Sequence, residues 1–155
     1  MGKKYLGLDI GDVRIGVAKC DAMGIVVTPL VVIHRTKEKA VGRIREICLE
    51  EGIADIVAGI PKSLDGTEKR QAEKVRAFLA KLKEAMPEAR IYECDERYTT
   101  VAADRILNEI MEKGAPEKRK RIDKLAAALI LENFLEQERT KNKLRIGGEH
   151  EETMD

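Results

Sequence analysis

The chain has 155 residues, 43% hydrophobic and 37% charged, enough for one domain with a core of its own. Its 29 Lys and Arg against 28 Asp and Glu give a net charge of +1, which excludes a strongly basic coat for nucleic acid but leaves room for a local basic patch. No apolar run approaches the roughly 20 residues that span a bilayer, and Met1-Gly2-Lys3-Lys4 opens no signal peptide, so the expectation is a cytoplasmic protein with no membrane partner.

Three strand-like runs come first: Lys4 to Ile10, Ile15 to Cys20, and Ile25 to Ile33. The turns between them, at Gly11-Asp12 and Asp21-Ala22-Met23-Gly24, are so short that the strands must be antiparallel neighbours. Pro29 in the third run predicts an edge strand or a bulge, because it has no N–H to give to a ladder. The period then becomes helical. Val41, Ile44, Ile47 and Cys48 predict a helix from Lys37 to Glu51, stopped by Gly52. Ala54 to Ile60 reads as a strand buried on both faces and ended by Pro61. A helix from Glu68 to Met86, a strand from Arg90 to Cys94, and helices near Thr100 to Lys113 and Ile122 to Arg139 follow.

The order β-β-β-α-β-α-β-α-α predicts an α/β fold, a mixed five-stranded sheet flanked by helices. Residues 1–139 would form the domain. Residues 140–155, charged, Gly-containing and without apolar period, read as a mobile tail.

Cys20, Cys48 and Cys94 are dispersed, and the histidines are His34 and His150. A zinc site needs about four N/S ligands at close spacing, so buried thiols in a reducing compartment are the expectation. Two Phe, three Tyr and no Trp argue against a broad stacking platform for single strands.

Five places carry possible chemistry. Asp9 is a carboxylate in an apolar strand, costly to bury unless it is paired or binds a cation. Asp95-Glu96-Arg97 follows the last strand, and ligands bind beyond the carboxyl ends of strands in open α/β sheets. Asp123 opens the last helix, beside an Ala cluster small enough to let that helix approach the Asp9 strand. Together these are oxygen donors suited to Mg²⁺ or Mn²⁺ and to phosphoryl chemistry. The loop Gly59 to Thr67 offers Lys62 to a phosphate, and the run Lys118-Arg119-Lys120-Arg121 leads into Asp123. Each has a plainer reading: a turn Asp, a loop ion pair, a helix cap, an ordinary connection, a solvated charged face.

Leu8-Asp9-Ile10-Gly11 with Arg14-Ile15-Gly16-Val17-Ala18 resembles the YqgF family, also called RuvX, of Holliday junction resolvase-like proteins linked to pre-16S ribosomal RNA. The likeness continues at Gly59-Ile60-Pro61, Asp65-Gly66-Thr67, Asp95-Glu96-Arg97-Tyr98-Thr99-Thr100 and Ile122-Asp123-Lys124-Leu125-Ala126-Ala127, in family order. It implies a ribonuclease H-like fold and metal-assisted hydrolysis of a nucleic-acid phosphodiester. Asp9, Glu96 and Asp123 would hold Mg²⁺ or Mn²⁺, with Asp95 as an additional acid. Arg14, Lys62, Arg97, Arg119, Lys120 and Arg121 would bind the nucleic acid. The expected substrate is structured RNA, in ribosome precursors, acted on by a monomer or homodimer. Branched DNA, or nucleic-acid binding without catalysis, are the alternatives; an actin-like ATP domain is a third, for which one domain is too few. Two features depart from the pattern. The fourth strand ends Ala58-Gly59-Ile60-Pro61 with no acid, where resolvases of the RuvC type carry one. Lys124 follows Asp123, where a small residue is common.

Overall fold

The computed structural model describes residues 3–24, 26–61, 69–95 and 116–154. In chain order these form β1 (Tyr5–Ile10), β2 (Arg14–Cys20), β3 (Val27–His34), α1 (Ala40–Glu51), β4 (Asp55–Ile60), α2 (Lys69–Ala85), β5 (Arg90–Asp95) and α3 (Pro116–Met154). The strands make one sheet in the order β3-β2-β1-β4-β5. β1, β2 and β3 pair antiparallel, as their short turns require. The helical crossovers then return β4 parallel to β1 and β5 parallel to β4. This is the mixed sheet that the element order predicts. The helix expected near Thr100 to Lys113 lies outside the described residues.

Side chains alternate across the sheet, so β1 sends Leu6, Leu8 and Ile10 to one face and Tyr5, Gly7 and Asp9 to the other. The first face packs Leu8, Ile15, Val17, Ile56 and Ile60 against Ile44 and Ile47 of α1 and Val75, Leu79 and Leu82 of α2. Leu8 has no exposed surface, and truncating such a side chain costs about 2–5 kcal/mol. α3 covers the second face, with Ile130, Leu131, Phe134 and Leu135 against Val57, Cys94 and Cys20. β4, covered on both sides, is buried along its whole length.

Local sequence sets several boundaries. Gly52 ends α1 in the left-handed region at φ 67°, and the Ile53 N–H bonds the Cys48 carbonyl at 2.9 Å. Pro29 meets both expectations at once. β3 is the sheet edge, and the register slips between Val17, opposite Val31, and Ala18, opposite Pro29. Leu30 is the extra residue of that bulge.

α3 departs from its expected bounds. It is already helical at Pro116, ahead of the expected start near Ile122, and proline is tolerated in a first helical turn, where its missing N–H is not needed. It also runs through residues 140–154, where the sequence reading ends the helix near Arg139. That stretch holds no proline and many Lys and Glu, good helix formers that need no apolar face, although Gly147 and Gly148 each cost about 1 kcal/mol in a helix.

Candidate active site

The site is built where α3 lies across β1 and β2. Asp9 sits near the carboxyl end of β1, directly opposite Gly16 of β2. A Cβ on Gly16 would lie 1.9 Å from the Asp123 carbonyl oxygen. One on Gly7 would lie 2.9 Å from the Ala127 carbonyl oxygen and 3.0 Å from the Leu131 Cβ. Asp123, Ala127 and Leu131 are four apart, so they form one stripe of the helix. Glycine on the strands and alanine on the helix therefore let the two backbones touch, and Ala127 and Ala128 bury themselves against Ala18. The approach fixes Asp123 beside Asp9.

Two like charges and a partly dry setting follow. Burial, and then the neighbouring Asp123 carboxylate, push the Asp9 carboxyl up to about 6. No opposite charge among the described residues pulls it back. Asp123 does have a partner: the Arg14 Nε donates to its Oδ2 at 2.7 Å. Arg14 belongs to the same face of β2 as Gly16, which is why its side chain meets the helix.

The turn after Asp9 is held from three directions. The Gly11 N–H bonds the Arg14 carbonyl at 2.9 Å. Arg35 donates from Nη1 to the Gly11 carbonyl at 2.8 Å, and its guanidinium lies 5.0 Å from the centre of the Phe78 ring. Lys74 of α2 reaches Asp12 at 3.5 Å. Sequence reading missed Arg35, because nothing local marks a residue whose contacts are a distant turn and a ring on another helix. It also missed what Gly7 and Gly16 do. Two glycines on one face of adjacent strands were the available signal.

The other expected site residues divide in two. Asp95 pairs with Ile60 at the end of β5. It shares a face with Ile91, which joins the α1–α2 core, and with Glu93, which accepts from Arg76 of α2. That is the opposite face of the sheet from Asp9. Glu96, Arg97 and Lys62 lie outside the described residues. Arg119, Lys120 and Arg121 fall in the opening turns of α3, and their side chains are likewise outside. Because α3 starts at Pro116, Asp123 stands two turns inside the helix, and the capping explanation for it fails. Among the described residues no group of three His, Cys, Asp or Glu gathers as a metal site; Asp9 and Asp123 are a pair. The three cysteines are buried thiols, none in a disulfide, as expected.

A second buried acid occupies the far end of the same strip and passed unnoticed in the sequence. Asp55 opens β4 with 3% exposure. It accepts from Arg90 Nε at 2.8 Å and Nη2 at 3.1 Å, and from the Tyr92 hydroxyl at 2.9 Å. Burial works to raise its pKa, but these bonds and the guanidinium charge win, and the net shift is downward. The same burial and bonding push the Tyr92 hydroxyl up to about 12. Tyr5, Tyr92 and Phe134 close this end with ring centroids 5.3–6.1 Å apart.

Comparison with known proteins gives a family and a fold. The family model RuvX, described as a Holliday junction resolvase, matches residues 3–137. A protein of Fusobacterium nucleatum subsp. nucleatum named "Putative pre-16S rRNA nuclease" is 57% identical over 134 residues, covering 86% of this chain and 97% of its own. One of the same name from Thermoanaerobacter pseudethanolicus is 40% identical over 139 residues, covering 89% and 99%. Among solved structures, T. thermophilus RuvC in complex with a Holliday junction substrate superposes with a TM-score of 0.55. The identity is 14%, over 88% of this chain and 96% of that one, a likeness of fold. The ribonuclease H-like architecture is thereby shown.

Proposed function

This chain belongs to the RuvX family, and from that premise we propose that it is a hydrolase of phosphodiester bonds in structured RNA, acting in 5′-end maturation of 16S ribosomal RNA precursors in the cytoplasm. The observation that carries the reading is the forced proximity of Asp9 and Asp123 at the carboxyl end of β1. Burying Asp9 near a second carboxylate, with no opposite charge among the described residues to offset it, does not stabilise the fold; the arrangement suits a cation or a developing charge.

The donors fit a hard divalent ion. They are carboxylate oxygens, with no thiol or imidazole placed among them in the described residues, as Mg²⁺ or Mn²⁺ prefers. When bound, such an ion supplies an activated water and neutralises charge on the phosphoryl oxygens. Asp9 and Asp123 would hold it. Glu96 would complete the set in preference to Asp95, since alternation along β5 puts Asp95 on the α2 face. Arg35 keeps the turn beside Asp9 in place. Lys62, Arg97, Arg119, Lys120 and Arg121 would bind backbone phosphates, and replacing the last three by Ala should flatten the log–log salt slope of RNA binding by about two to three units.

Incubating wild type and Asp9→Asn with precursor ribosomal RNA and a four-way DNA junction, with and without Mn²⁺, tests the reading. Cleavage of RNA by wild type alone supports it. Cleavage of the junction alone transfers the activity to branched DNA. Binding of RNA without turnover in any condition leaves a non-catalytic factor.

A further inference from the structure

We propose that Arg14 and a divalent cation compete for Asp123, so that Arg14 sets how readily the site loads and, once displaced, turns to a phosphate of the substrate. The inference rests on the metal-dependent reading above and assigns Arg14 a task beyond phosphate binding.

The ion pair is direct, Arg14 Nε to Asp123 Oδ2 at 2.7 Å. Its two partners differ in freedom. Asp123 is held at its backbone, which rests on Gly16, and its short side chain can turn but cannot carry the carboxylate far. Arg14 is fixed only at its backbone, where its carbonyl accepts from Gly11 and β2 pairs it with His34. Its long side chain keeps several rotatable bonds and is one-third exposed. When another cation approaches the same carboxylate, the guanidinium is therefore the group that moves, and it moves toward solvent, where a phosphate would meet it.

An orienting role is the weaker explanation. A partner that orients a ligand helps most when the ligand would otherwise wander. Here the helix–strand contact already does that work. What remains for Arg14 is its positive charge beside the oxygen that a cation needs.

The device has a reciprocal signature, because coupling between two ligands of one site is symmetric. Mn²⁺ is titrated calorimetrically into the full chain as wild type, Arg14→Ala, Arg14→Gln and Asp9→Asn. Both Arg14 variants should bind Mn²⁺ about fivefold more tightly, the upper range for a partly exposed ion pair. Arg14→Gln keeps most of the side chain, which guards against a folding defect, and thermal melting checks each protein. Separately, in EDTA, where nothing is cleaved, Asp123→Asn should bind a precursor RNA fragment more tightly by releasing Arg14. The gain should vanish in the Arg14→Ala/Asp123→Asn double variant. Equal or weaker Mn²⁺ binding in both Arg14 variants, with binding still lost in Asp9→Asn, overturns this inference and spares the proposed function. A wild type that neither binds Mn²⁺ nor melts higher with it overturns both.

Discussion

At one end of the strip where α3 crosses the sheet, Asp55 is buried with Arg90 and Tyr92 around it, and its pKa falls. At the other end Asp9 is buried near the Asp123 carboxylate, and its carboxyl rises to about 6. Both acids stand on the α3 face of neighbouring parallel strands, beneath the same helix. The difference lies in what the neighbouring residues offer. Arg90 stands opposite Asp55 in register, whereas Asp9 faces a glycine. An acid that is buried and answered holds a fold together; an acid that is buried and opposed suits the cation-holding role proposed for Asp9.

Substitution should separate the two ends, with opposite signs. Asp9→Asn should lower nuclease turnover by more than about a hundredfold, since removing even a supporting group of a metal ligand costs about 10–100-fold. The same change should raise the melting temperature, because it removes a charge held unfavourably. A variant that melts lower and still cleaves would break the contrast.

Gly16→Ala should disrupt the site end from a neutral position. Its Cβ meets backbone, not a flexible side-chain tip, so α3 must shift away. Overpacking of this kind costs about 1–3 kcal/mol or more, and turnover should fall with it as Asp123 leaves Asp9. Urea unfolding together with an RNA cleavage assay measures both effects.

Asp55→Asn should destabilise by about 2–3 kcal/mol, somewhat below the cost of breaking a fully buried pair, because Arg90 is 59% exposed and keeps access to water. Turnover per folded molecule should stay near wild type. Loss of turnover without loss of stability would mean that the two ends are coupled.

The smallest effects should appear in the pH dependence of stability. Asp9 holds its proton more tightly folded than unfolded. Its contribution is full below the ordinary carboxylate value near 4 and is lost as pH rises through about 6. The size of the shift limits that decline to about 3 kcal/mol at most. Asp55, shifted downward, contributes the other way: its share is present above the unfolded value and lost as the pH falls through the folded one. Asp9→Asn should therefore abolish the decline between pH 4 and 6, and Asp55→Asn should soften the acid-side loss.

Much of the fold was legible, and the reason is local. Alternation in β1 and β2, helical spacing in α1 and α2, the stop at Gly52 and the awkward Pro29 all express backbone geometry within a few residues. Short turns made three strands antiparallel, and helical crossovers made the rest parallel. The acids at Asp9 and Asp123 were found in the same way, as charges in apolar company, and the Ala cluster hinted at a close helix. The start of α3 was misjudged because Gly114 and Pro116 end one helix pattern as readily as they begin another.

Tertiary structure alone decided the rest. Gly7 and Gly16 mean nothing until a helix more than a hundred residues away lies on them, and Arg14 and Asp123, 109 positions apart, share no pattern in the chain. Asp55 and Arg90 become partners only because β5 docks beside β4 in one particular register. Periodicity is set by bonds between neighbours and so is written in the sequence. Electrostatic fate is set by distance and by the exclusion of water, and neither exists until the sheet and the helix have closed on each other.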